Sequence, residues 1–318
     1  MTLSMRAGLV LALASAATFG TSGTLGASLL AAGWSPGAAV TIRIALAAAV
    51  LTVPALLQLR GARVPVRRSL GPVVAFGVMA VAGAQLCYFN AVAHLSVGVA
   101  LLLEYSAALL VVGWLWLRHA QRPRPLTAAG AVLAVGGMVL VLDLSGDERL
   151  DPVGVLWGLG AAVGLAVYFV LSARAEEPLP ALVLAWGGLV VGSLVLLAAG
   201  AVGALQMRAP RVQVTLLDVR MSWLVPVLGL ALVAAAFAYV AGIAAAQVLG
   251  ARLASFVGLT EVLFAVLIAW LLLGQVPAPV QLAGGVLVLA GIALVRLDEL
   301  AGEPPQTPTS VEGVGRIS

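Results

Sequence analysis

Leu259-Thr260-Glu261-Val262-Leu263-Phe264-Ala265-Val266-Leu267-Ile268-Ala269-Trp270 carries a carboxylate into an otherwise apolar run, and Gly284 and Gly291 mark the next such run. The same sentence is written earlier in the chain. Leu103-Glu104-Tyr105-Ser106-Ala107-Ala108-Leu109-Leu110-Val111-Val112-Gly113-Trp114 is followed by a run marked by Gly130 and Gly137. An ionised side chain at the centre of a membrane helix costs about 2.5–3.5 kcal/mol on insertion scales. A chain that sets a Glu into such a run twice has a use for it.

The surrounding composition says what kind of chain this is. Of 318 residues, 62% are hydrophobic and 9% charged, with a mean hydropathy of +1.13. Ordinary soluble domains are about 45–50% apolar and about 25% charged. A soluble enzyme and a nucleic-acid binder are excluded, and the lipid bilayer becomes the first partner. Apolar runs fall at 8–31, 38–57, 72–93, 97–117, 128–142, 153–172, 182–202, 223–249, 253–273 and 280–295. Hydrocarbon offers backbone groups no water, so these runs are expected to be helices. The expected fold is an all-α integral membrane protein of ten transmembrane helices. The run after Arg6 outlasts a signal-peptide core, so it is counted as a span.

All 17 basic residues are Arg. With the N-terminus inside, Arg6, Arg60, Arg63, Arg67, Arg68, Arg118, Arg122, Arg124, Arg174, Arg252, Arg296 and Arg316 are cytoplasmic. Arg149, Arg208, Arg211 and Arg220 are external. That bias favours an N-in, C-in chain in a bacterial-type inner (plasma) membrane, with the 204–222 loop dissenting.

Gly130 and Gly137 stand 154 positions before Gly284 and Gly291, and Glu104 stands 157 before Glu261, which implies a three-residue shift in the intervening loop. Five spans is an odd number, so the second half must enter the membrane from the opposite side. Two inverted five-helix repeats are therefore expected, a common construction in alternating-access transporters.

On these residues the chain resembles the EamA-type drug/metabolite transporter superfamily. The Glu261 segment and its Gly-rich successor are similar to that superfamily's C-terminal hallmark, with Val262 in place of a Pro and Gln275 in place of a second Glu. Leu103-Glu104-Tyr105 resembles the threonine/homoserine-exporter branch, with Ala108 in place of its usual Pro. The resemblance implies a first EamA-like repeat over 1–143, a second over 144–297, and export as the direction of transport. Residues 298–318, Pro-rich and polar, are expected to form a disordered cytoplasmic tail.

Only three charges fall deep in expected spans: Arg43, Glu104 and Glu261. Glu104 and Glu261 are candidates for proton coupling, because a carboxyl alternating between apolar and polar surroundings takes up and releases protons. Arg43 suits a counter-ion or anchor, either paired with a Glu or snorkelling to a membrane face. Gln85, Tyr88 and Phe89 share one helix face, with Asn90 beside it. With Tyr105, Trp157, Tyr168, Trp186 and Tyr239 they make a candidate wall for a small zwitterion. Trp34, Trp116 and Trp223 suit interfacial belts, and His94 an interfacial position.

The function expected is secondary active transport of a small polar metabolite, an amino acid or related compound, in exchange for protons. A proton-independent facilitator or exchanger stays open beside it. The chain has no Lys and hence no P-loop of its own, and no His-Glu-x-x-His pair of a membrane-embedded enzyme. No cofactor or metal is expected from one Cys and two His. The Gly154/Gly158, Gly160/Gly164 and Gly188/Gly192 pairs would permit a homodimer as readily as packing within the chain.

Overall fold

The structure, a computed structural model, describes residues 4–61, 66–95, 97–119, 124–142, 151–173, 179–216, 219–273 and 278–302. Seven helical stretches are long and apolar enough to cross a membrane: Met5–Ala31, Pro36–Arg60, Leu70–His94, Val99–Arg118, Pro152–Ser172, Ala181–Ala201 and Leu224–Gly258. Pro125–Leu140 and Leu282–Val295 are apolar but shorter. Together they make an all-helical membrane fold. Several spans come in pieces, and the expected runs 223–249 and 253–273 are parted by a turn at Gly250.

The pieces follow a pattern. The first span is α1 (Met5–Phe19) and α2 (Thr21–Ala31), divided at Gly20. The second is α3 (Pro36–Gly61). The third is α4 (Val66–Ala75) and α5 (Ala84–His94), with π-helical turns over Phe76–Gly83 between them. The fourth is α6 (Val97–Tyr105) and α7 (Ala107–His119), and α8 (Pro125–Leu142) follows.

In the second half, α9 (Pro152–Ser172) and α10 (Ala181–Ala201) are unbroken. Then α11 (Leu224–Leu228) and α12 (Ala238–Gly258) flank a second π-helical stretch, Gly229–Phe237. Inside α12 the chain turns at Gly250, whose φ of 77° suits a residue without Cβ. The last two helices are α13 (Thr260–Leu273) and α14 (Pro279–Gly302).

The two Glu-bearing spans break in matching ways. At Ser106 the backbone N–H reaches only to Leu103, and the Leu109 N–H reaches to Ser106. At Leu259 the N–H reaches to Phe256, and the Val262 N–H reaches to Leu259. No Pro is needed for either break. The Ser106 and Thr260 hydroxyls donate back to the Leu103 and Val257 carbonyls, at 2.6 and 2.7 Å, which competes with regular helix. Ser106 and Leu259 are 153 positions apart, close to the spacing of the glycines. The three-residue shift inferred from the glutamates is therefore corrected. Glu104 precedes its break by two residues and Glu261 follows its break by two, so they are not equivalent positions.

α8 and α14 pack antiparallel through their glycines. A Cβ at Gly130 would stand 2.7 Å from the Gly291 carbonyl oxygen, and one at Gly137 would stand 2.6 Å from that of Gly284. Each glycine meets the counterpart of its partner's mate, the exchange that a two-fold axis imposes. This contact carries α14 past the expected end of order. Asp298 is buried and accepts from the Thr127 hydroxyl at 2.5 Å, so residues 298–302 belong to a helix and not to a tail.

The 204–222 loop is built as well. Strands β1 (Gln213–Leu216) and β2 (Val219–Ser222) form an antiparallel hairpin with Val214 opposite Met221. Ser35, at the turn between α2 and α3, donates its backbone N–H to the Arg208 carbonyl at 2.9 Å and its hydroxyl to that of Gln206 at 2.7 Å. Trp34 is buried and donates to the Pro210 carbonyl, so it clasps this loop and is no lipid belt. Trp116 is exposed and Trp223 half-buried against Trp34.

Gly137→Ala should force α8 and α14 apart, at a cost of about 1–3 kcal/mol. Gly136→Ala, where a Cβ meets nothing within 4 Å, should be neutral or stabilising by up to about 1 kcal/mol. Thermal unfolding of both variants in detergent separates the two; equal midpoints would contradict the packing.

Candidate functional site

The breaks at Ser106 and Leu259 and the first π-helical stretch border one cavity. It contains about 720 Å³ of atom-free space, its open end included. Glu104, Glu261, Gln85, Tyr88, Tyr105, Tyr168 and Tyr239 line it, so seven of the expected site residues come together. Both halves of the chain contribute. α5 and α6 bring Gln85, Tyr88, Glu104 and Tyr105; α9, α12 and α13 bring Tyr168, Tyr239 and Glu261.

Tyr105 donates its hydroxyl to the Glu261 carboxylate, which ties the fourth span to α13 across the two halves. Glu104, next to Tyr105, is 7% exposed and makes no side-chain hydrogen bond among the described residues. One carboxylate is thus fastened and the other is open to the cavity. Tyr168 stands among Phe76, Phe169 and Tyr239 with ring centroids 5.2–5.8 Å away, and its hydroxyl has no hydrogen-bond partner among the described residues. Gly242 leaves room for that hydroxyl, since a Cβ there would collide with it.

Arg43 is 1% exposed, so it does not snorkel, and it pairs with neither Glu. It donates to the Ser22 hydroxyl at 2.9 Å, to Gln85 Oε1 and to the Ala234 carbonyl, with Phe19 and Phe89 rings within about 6 Å of the guanidinium. Its acceptors are neutral because a serine, an amide and a carbonyl lie closer than any carboxylate. Ala234 belongs to the π-helical stretch Gly229–Phe237.

Three expected wall residues lie elsewhere. Asn90 donates back to the Leu86 carbonyl at 2.7 Å on its own helix. Trp186 donates to the Thr52 hydroxyl at 3.0 Å, joining α10 to α3. Trp157 is half-buried against the apolar core. None of the three is in the cavity wall. The wall also holds Ser15, Phe19 and Ser22, which the sequence reading passed over. Their signal was present: residues 12, 15, 16, 19 and 22 form an i, i+3, i+4 stripe of small, hydroxyl and aromatic side chains on the first span. Within the chain, Gly154, Gly158, Gly164 and Gly188 pack against Leu95, Leu103, Ala84 and Phe76.

His94 lies outside the cavity, at the end of α5. Its Nδ1 stands 2.8 Å from an Asp151 carboxylate oxygen, and Asp151 accepts from the Val153 N–H at 2.9 Å as the cap of α9. This ties together the ends of two helices that enclose the cavity.

A polytopic helical membrane protein with a chamber walled by both halves of its chain, apolar but for a few polar groups, is the architecture of a small-molecule carrier. The chain belongs to the EamA-like transporter family, whose model matches residues 6–143 and 152–297. Members of that family transport small molecules across membranes. The chain is 31% identical over 102 residues to the uncharacterized transporter YwfM of Bacillus subtilis (strain 168), a match covering 32% of this chain and 34% of that protein. The match thus spans about a third of that relative's length. A solved structure titled only as the crystal structure of a protein superposes with a TM-score of 0.73 at 21% identity, over 95% of this chain and all of that one. That likeness concerns the fold.

The Val153 N–H, and then His94, hold the Asp151 carboxyl below its ordinary value of 3.8. A lowered carboxyl stabilises the fold above its ordinary value and loses that contribution as pH falls through the lowered one. Asp151→Asn keeps a capping side chain but removes the charge. Its thermal midpoint should lie below wild type at neutral pH, and the gap should close on acidification below about pH 4. A gap that persists unchanged into acid would show that the charge is not its source.

Proposed function

We propose that this transporter exports a small zwitterionic metabolite, an amino acid or related compound, in exchange for protons, with Glu104 and Glu261 as the coupling groups. One observation carries the reading: two carboxylates from different halves of the chain reach the same cavity, one fastened by Tyr105 and one without a hydrogen-bond partner among the described residues. A carboxylate kept in an apolar membrane protein without a partner is costly unless it is used. Tyr88, Tyr168, Tyr239 and Phe19 supply a dry aromatic surface for the substrate's apolar part. The resemblance of Leu103-Glu104-Tyr105 to the threonine/homoserine exporters supports the substrate class and the direction. The Arg distribution supports an N-in, C-in orientation in a bacterial-type inner membrane. The reciprocal contacts of α8 and α14 support two inverted repeats that rock against each other around a central site.

Purified protein in liposomes should accumulate a labelled amino acid against its gradient when a pH gradient is imposed. Glu104→Gln should reduce that pH-driven flux by roughly a hundredfold, as expected for an essential proton-transfer group. Glu261→Gln, which keeps a Tyr105 partner, should reduce it less. Intact pH-driven flux in both variants would remove the proton-coupling assignment. Exchange that persists but never responds to pH would make the protein a facilitator.

A further inference from the structure

Arg43 is the most deeply buried charge among the described residues, yet it stays out of the cavity wall and binds only neutral acceptors. A guanidinium donates and never accepts, so its partners must turn lone pairs toward it. This sets the direction of two side chains that do line the cavity. With Oε1 held on Arg43, the Gln85 amide turns its NH2 away from the cation. That NH2 end belongs to a side chain that lines the cavity. Ser22 receives its bond from Arg43 at 2.9 Å, and its own proton is donated to no described acceptor. The hydroxyl of Ser15, in the same wall, is by contrast spent on the Ala238 carbonyl.

The buried cation thus has two neutral donors between it and the cavity, with its full positive charge behind them. Donors of this kind, backed by a buried charge, match an anionic oxygen pair better than any other ligand chemistry. We infer that Ser22 and Gln85 form the subsite for the substrate's carboxylate, with Arg43 as the positioning residue that orients both. The inference rests on the reading of the substrate as a zwitterion and adds which groups hold its anionic end. Arg43 acts through its neighbours, so its own contact with substrate is not required.

The test uses the full chain in liposomes and matched pairs of probes: amino acids and the corresponding amines that lack the carboxylate. Ser22→Ala removes one donor with little change in volume. Gln85→Glu keeps an acceptor for Arg43 but replaces the outward donor with an acceptor. Each should raise KM for the amino acids roughly tenfold or more, as expected for a lost hydrogen bond to a charged group, with kcat little changed. Competition by the matched amines, weak in wild type, should not weaken further. Arg43→Lys keeps the charge but loses the fork that holds Ser22, Gln85 and Ala234 together, and should show the same KM-only defect. Should that variant fail to fold, the other two decide the matter alone. Unchanged KM in both, or an equal loss for amines and amino acids, overturns the subsite. A wild type that carries amines as well as amino acids also overturns it and leaves the transport reading standing. A wild type that moves neither overturns both.

Discussion

A guanidinium in hydrocarbon has no water to satisfy it, and in this protein the first, second, third and eighth spans are gathered around that one requirement. Arg43 on α3 is met by Ser22 from α2, by Gln85 from α5 and by the Ala234 carbonyl of a π-helical stretch. The π geometry matters, because a wider turn disturbs the i→i−4 ladder and lets a carbonyl serve a partner outside its own helix. Phe19 and Phe89 lay their rings near the charge. The bonds cross from one half of the chain to the other, so the charge acts as a fastening between them. The desolvation of such a group is expensive and its bonds only partly offset it. Its presence is better explained by orientation than by stability.

Around that fastening the helices are interrupted where the cavity lies. Glu104 and Tyr105 end α6, Thr260 and Glu261 begin α13, and Gly20 parts α1 from α2 next to the Glu261 backbone. Irregular backbone at membrane depth is tolerated where protein buries it or where it lines a polar space. Each break here meets that condition. Glu104 precedes the break at Ser106 and Glu261 follows the break at Leu259, so the cavity receives two carboxylates in different settings. Glu261 is held by Tyr105, whereas Glu104 is not held.

The candidate site was legible in part. Glu104, Glu261, Gln85, Tyr88, Tyr105, Tyr168 and Tyr239 could be picked out because charged, amide and phenolic groups inside apolar runs need a polar neighbour. Asn90, Trp157 and Trp186 answered to the same description and satisfy their needs elsewhere: on the Leu86 carbonyl, against the core and on Thr52. A helical wheel shows which residues share a face, but not which neighbour that face meets. The first span was underread because serines beside alanines scarcely alter hydropathy. Ser15 and Ser22 nonetheless supply the cavity and its cation with hydroxyls.

Composition and periodicity by themselves determined that the chain lives in a membrane, roughly where it crosses, and that its two halves carry related Gly-bearing helices. These properties are sums over local stretches, and sums survive without knowledge of what packs where. Only the tertiary structure decided that the glutamates are not equivalent, that Arg43 binds neutral acceptors, and that the 204–222 loop is a clasped hairpin. Each of those depends on how far one helix is rotated against the next. A π-helical turn or a break at Ser106, Leu259 or Gly250 changes that rotation without leaving a mark on hydropathy.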